Sequence, residues 1–206
     1  MEISTLRKAG GVALAVGGIL LALYAALFNL LLPTDMMETD FAGLVLSPAW
    51  IPVCATALVA ILLLAFGFIA TYSVLARTSG ILGFAGFVAL MTAYLFQFGE
   101  LVMETFYYPG IVSSPDGVAL FRSDAMINHP AAKAFVVIFI GTNALAPQAF
   151  AVSLIRSKAF PKLGGILLIV GAALYAAAPV LVVNLAGIVI FAAACFIVGR
   201  ATAKAA

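Results

Sequence analysis

The sequence predicts an all-α polytopic transmembrane helical bundle of about six spans, one domain over residues 1–206, with both termini cytoplasmic. Three observations predict it. Of the 206 residues, 66% are hydrophobic and only 9% are charged, where an ordinary soluble domain carries roughly 25% charge. So few charges cannot coat a globule of this length, so hydrocarbon is the solvent for most of the exterior. The apolar residues gather into six runs, each near or above the roughly 20 residues that cross a bilayer. Finally, basic and acidic residues alternate between successive connections, as the positive-inside rule requires.

The first span covers about 9–32, behind Arg7 and Lys8. The run is longer than the roughly 7–15 apolar residues of a cleavable signal, and no small-x-small site follows it, so a retained span is expected. The connection 33–50 carries Asp35, Glu38 and Asp40. It ends on Trp50, set between Pro48 and Pro52, as expected of an interfacial anchor. The second span, about 51–75, is joined to the third, about 80–102, by a tight turn holding Arg77. A long connection, 103–130, follows with Asp116 and Asp124 and two further anchor candidates, Tyr107 and Tyr108. Asn128, shortly before Pro130 at a first helical position, predicts a cap for the fourth span, about 131–155. Arg156, Lys158 and Lys162 fill the next short turn. The last two spans, about 163–180 and 183–199, are compressed around a turn near 179–184, and a five-span alternative with one long or re-entrant final segment stays open.

Eight of the ten basic residues lie at the N-terminus, the two tight turns and the C-terminal Arg200 and Lys204. Those four places share one side only if the number of spans is even, and the positive-inside rule makes that side cytoplasmic. A net charge of +2 with scattered basic residues excludes a nucleic-acid footprint. Membrane lipids and other membrane chains are the expected partners.

An echo runs through the chain. Lys8 with Gly10, Gly11 and Gly17 resembles Lys162 with Gly164, Gly165 and Gly171, and Arg77 with Gly80 and Gly83 is a looser third copy. A basic anchor followed by glycines lets helix backbones approach closely, so shared packing chemistry accounts for the repeat.

The most unusual pattern ends the third span. Gln97, Glu100 and Glu104 fall at i, i+3 and i+7, with Tyr94 and Tyr108 extending the stripe, so one helix face is polar toward its outer end. A carboxylate so near the hydrocarbon is a functional-site candidate by default. The alternative is that both glutamates lie at headgroup level or pair with Lys133 or Arg122. His129, the only histidine, either opens the fourth helix in contact with water or joins Glu100 and Glu104, where an imidazole could titrate near neutrality. Within the fourth span, Pro147 frees the carbonyl of Asn143, and Asn143 is a candidate for hydrogen bonding to a neighbouring helix or for lining a substrate path. Asn29 and Asn184, near outer helix ends, are expected to be packing glue of the same kind.

Several chemistries are unsupported. One histidine removes paired-histidine haem ligation and HExxH zinc sites. Cys54 and Cys195 stand apart inside apolar runs as small hydrophobes. No nucleophile elbow, Walker loop or dinucleotide fingerprint occurs. No metal and no catalytic residue is assigned, and cofactors stay unknown, since an apolar groove can hold a quinone, carotenoid or lipid without any motif.

The stretch 77–109, with its basic-glycine entry, Gly83, Gly86, Glu100, Glu104, Phe106 and Pro109, resembles a pattern of uncharacterised bacterial six-span integral membrane proteins. The basic turn around Arg156, Lys158, Pro161, Lys162, Gly164 and Gly165 is similar to theirs too. The resemblance covers about a quarter of the chain and implies six spans and a bacterial inner (cytoplasmic) membrane, with no catalytic residue carried over. Three functions follow as expectations. The first is a non-catalytic accessory or scaffold subunit of a larger membrane assembly, suggested by the nearly featureless apolar body. The second is a small transporter or ligand-binding carrier using Gln97, Glu100 and Glu104 with Asn143. The third is a lipid-modifying enzyme at the outer face, with His129 and Glu104 as acid/base candidates.

Overall fold

A computed structural model describes residues 2–33, 35–122, 128–177 and 181–205. The described residues form helices and turns with no strand. Six long helices carry the fold: α1 (Ile3–Leu31), α2 (Trp50–Leu75), α3 (Gly80–Val102), α4 (Pro130–Arg156), α5 (Lys162–Ala177) and α6 (Leu181–Lys204). Five helices, all of these but α5, are long and apolar enough to cross a membrane. The described part of α5 is 16 residues long, ~24 Å at ~1.5 Å per residue. It covers most of the expected fifth span, 163–180, and residues 178–180 lie outside the described set.

Each helix packs on its chain neighbours, and α1 packs on both α2 and α6, so the six close into a ring. Where the helices meet, glycine sits between them. A Cβ on Gly17 would lie 2.9 Å from the backbone nitrogen of Leu64, and one on Gly67 would lie 2.7 Å from the Cα of Leu14. One on Gly11 would collide with the carbonyl oxygen of Gly199. Gly86 stands equally close to Phe150, and Gly171 to Phe191. The sequence echo is therefore a packing device at α1 and α5. At its third copy, Gly80 takes a left-handed φ of +56° that only glycine adopts without strain, and it starts α3. The α2–α3 contact uses aromatic rings instead, with Tyr72 stacked on Phe87 at 4.2 Å.

Arg7 locks the basic end. Its guanidinium donates to the carbonyl of Ala205 at 2.8 Å, to the carbonyl of Ser73 at 3.1 Å and to the Ser73 hydroxyl at 3.2 Å. One cation thereby joins α1 to the last carbonyls of α2 and α6, where helix dipoles favour positive charge. Beside it, Thr71 and Thr202 share a buried hydrogen bond of 3.0 Å.

The opposite, acidic end is more structured than the sequence suggests. The connection after α1 folds into short helices, Met36–Thr39 and Phe41–Val45, and Asp40 caps the second through the N–H of Gly43. Past Val102 the chain stays helical, through a π-helical turn at Met103–Tyr107 and helices at Tyr108–Val112 and Pro115–Arg122. These pieces pack into a second apolar core around Trp50, Leu44, Val45 and Val112. Trp50 is 2% exposed, so it is a core residue of this cap and not an interfacial anchor. The phenolic ring of Tyr108 packs in the same cap against Phe41 and Phe121, while Tyr107 remains exposed.

Close approach makes a sharp prediction. Gly11→Val drives a side chain into backbone that cannot yield, and overpacking of this kind costs about 1–3 kcal/mol. The melting temperature in detergent should fall clearly. Gly141→Ala, where nothing lies within 4 Å, should change stability by no more than about 0.5 kcal/mol. Equal melting temperatures for the two variants would contradict the packing account.

Candidate functional site

Tyr94, Gln97 and Glu100 climb one face of α3 at successive helical turns. Counted from Gly80 at ~1.5 Å per residue they stand ~21, ~25 and ~30 Å along the axis. Opposite them, Asn143 and Pro147 project from the middle of α4, Tyr175 from the end of α5, and Leu21 from α1. Together with Phe191 and Ile188 of α6 they enclose a cavity of about 180 Å³ within the ring. Cavities of ~150 Å³ already hold a benzene-sized ring.

The floor of the cavity faces the basic end. There Tyr94 stacks on Phe68 at 5.8 Å, and Phe68 meets Phe150 edge-on at 5.5 Å. Phe68 and Phe150 are wholly buried. The upper side is looser. Residues 133–138 of α4 are exposed along two successive turns, touching the bundle through Phe135 against Phe96 at 5.6 Å. The wall beside Phe139 and Ile140 is correspondingly thin, and Ile140 itself is exposed. The cavity therefore sits in the acidic half of the bundle, closed toward the basic end by the aromatic layer and thinly walled beside the exposed Ile140.

Its polar groups are few. The Asn143 side chain donates to the carbonyl of Phe139, one turn back in its own helix, at 2.9 Å. The expected bond to a neighbouring helix comes instead from Gln148, whose amide reaches the carbonyl of Ile169 on α5 at 3.3 Å. Tyr94 is buried, and its hydroxyl finds no partner among the described residues.

Glu100 and Glu104 lie above the cavity. The helix changes pitch at Met103, where the π-helical turn takes in Glu104; such turns recur at functional sites. The turn is held in place by the Trp50 indole, which donates to the carbonyl of Glu104 at 2.8 Å, and by the Thr105 hydroxyl, bonded to the carbonyl of Leu101 at 2.6 Å. Both carboxylates stay close enough to interact with each other and with the phenols of Tyr24, Tyr108 and Tyr175. Among the described residues no hydrogen bond or ion pair reaches either carboxylate. Lys133 is exposed and makes no ion pair with them, and the side chain of Arg122 lies outside the described set.

His129 is exposed and serves as the helix cap in place of Asn128, its Nδ1 accepting from the N–H of Ala131 at 3.3 Å. No hydrogen bond joins it to Glu100 or Glu104. No group of three His, Cys, Asp or Glu side chains suited to a metal occurs among the described residues. Asn184 bonds across helices to the carbonyl of Tyr175 on α5, as packing glue should, whereas Asn29 bonds back to the carbonyl of Ala25 within α1. Tyr24 and Tyr175 escaped the sequence reading of the site. Their signal was faint: each is the lone tyrosine of an otherwise apolar span, and a phenol in such surroundings needs a polar neighbour.

Compared with known proteins, the chain matches no family model, no curated protein and no solved structure.

The unpartnered Tyr94 hydroxyl gives a signed prediction. A buried hydroxyl without a partner costs about 1–3 kcal/mol, so Tyr94→Phe should hold or raise the melting temperature of the ligand-free protein. A clear drop would mean that the hydroxyl is bonded.

Proposed function

We propose that the protein is a membrane-embedded binding protein or carrier for a small amphiphile, taken up in the acidic half of the bundle. One observation carries this reading: a cavity of about 180 Å³ inside the ring, apolar over most of its wall, with Gln97, Asn143, Tyr94 and Tyr175 set into it. Small-molecule sites have this composition, a mostly apolar wall with a few placed polar groups. Pro147 at mid-helix adds an unpaired backbone carbonyl beside the same space, and freed backbone in membranes is tolerated where it lines a cavity.

The chain crosses the membrane six times in this reading, with α5 and α6 as the last two spans. The basic end faces the cytoplasm, because Arg7, Lys8, Arg77, Arg156, Lys158, Lys162, Arg200 and Lys204 gather there. The cavity then lies toward the outer side of a bacterial cytoplasmic membrane, the compartment that the resemblance of residues 77–109 implies.

An accessory-subunit role draws on a different observation, the exposed first turns of α4 at residues 133–138, where a partner helix could pack. The lipid-modifying reading has less support, since His129 is committed to capping α4.

Native mass spectrometry after mild detergent extraction separates the readings. The wild-type chain should retain a small molecule at near-stoichiometric level. Ala144→Trp, which fills the cavity from its wall, should lose it while remaining folded. Equal retention by both proteins would sink the carrier reading, and a stable complex with other chains would favour the accessory role.

A further inference from the structure

The cavity and the carboxylates above it have complementary demands. Two glutamates at the end of a transmembrane helix carry up to two negative charges, and a carboxylate near hydrocarbon is costly unless paired, hydrated or protonated. No described side chain pairs with either. The hydroxyls of Tyr24, Tyr108 and Tyr175 are near enough to feel the carboxylates' charge. Gln97 lines the cavity, and Glu100 is one turn above it on the same helix face. Tyr175 belongs to both groups, lining the cavity while interacting with both carboxylates. Beneath them Tyr94 lines the same cavity; it is 7% exposed, with a hydroxyl that has no partner. A metal ion would want more ligands than these, and no cluster of three suitable side chains is present among the described residues.

We infer that the ligand is an organic cation, a lipophilic ammonium whose apolar body fills the cavity and whose charged group rests between Glu100, Glu104 and the phenols. The inference rests on the carrier reading and deepens it. Apolar walls accept the hydrocarbon part, and Gln97 and Asn143 stand at the level where a polar linker would pass. The carboxylates supply the charge that selects an ammonium over a neutral or anionic amphiphile.

Trp50 provides the readout. It is the only tryptophan in the chain, and its indole is bonded to the Glu104 carbonyl. Purified protein is titrated with benzyltrimethylammonium, with its neutral carbon isostere neopentylbenzene, and with the anion phenylmethanesulfonate, following Trp50 fluorescence. The cation should bind about tenfold more tightly than the neutral isostere, within the range of a desolvated cation–aromatic contact, and the anion should not bind. Glu100→Gln and Glu104→Gln should each weaken the cation and leave the neutral compound unchanged, and Ala144→Phe, which narrows the cavity without a second tryptophan, should abolish both. If the neutral isostere binds as tightly as the cation to the unmodified protein, the cation inference is overturned and the carrier reading survives. Cation binding that persists in Ala144→Phe would place the charge effect at the surface and overturn it too. Should no probe bind, the inference falls; the carrier reading falls with it only if Ala144→Trp also retains the native small molecule.

Discussion

Backbone approach at glycine sets the shape of this protein, and it is uneven between helix pairs: Gly171 and Gly187 hold α5 and α6 together into the acidic half, while α3 and α4 are held only toward the basic end. Toward the basic end Gly10, Gly11, Gly67, Gly86 and Gly199 each place a neighbouring helix so near that a methyl group would not fit. In the acidic halves of α3 and α4, Gly99 and Gly141 meet nothing within 4 Å. In lipid, hydrophobicity gives helices no reason to associate, so contact of small residues and interhelical hydrogen bonds do that work. The basic end has both, glycine contacts and the Arg7 bonds to α2 and α6. The acidic half of α4 has neither, and its helix leans on the bundle through one pair of phenylalanine rings.

That asymmetry produces the site. The ring contacts of the Phe68, Tyr94 and Phe150 layer close the cavity toward the basic end. Looser packing above it leaves the cavity, and the cap over α1, α2 and the π-helical turn holds Glu104 in place through the Trp50 indole. The cap is thus more than a cover: its core residue Trp50 fixes the backbone of a candidate ligand-binding carboxylate. Regions with few buried contacts are the ones that open most readily, which suits a site that must exchange its contents with the membrane or the outer medium.

Much of the fold was legible because its signals are one-dimensional. Run length and charge alternation give the helices and their order, and α3 begins and ends where the sequence places it. The start of α1 at Ile3 was less visible, since polar residues can extend a helix beyond the hydrocarbon. The Gln97 and Glu100 stripe was legible for the same reason, being local to one helix. Three features were not, because they depend on what lies across the ring. Trp50 between two prolines looks like an anchor until the cap closes over it. Asn143 looks like the interhelical amide until its bond is seen to stay within its own helix, while Gln148 makes the bond to α5. Tyr24 and Tyr175 join the site only when α1 and α5 are brought together.

Cysteine labelling in intact cells tests the uneven packing most directly. With Cys54 and Cys195 replaced by alanine, Gln97→Cys and Leu64→Cys are exposed to a membrane-impermeant thiol reagent from outside, and in inverted vesicles from inside. Closure toward the basic end by the aromatic layer and a thin wall in the acidic half require that Gln97→Cys reacts from outside alone and Leu64→Cys from neither side. Labelling of Gln97→Cys from the inside, or of Leu64→Cys from either, would contradict the account.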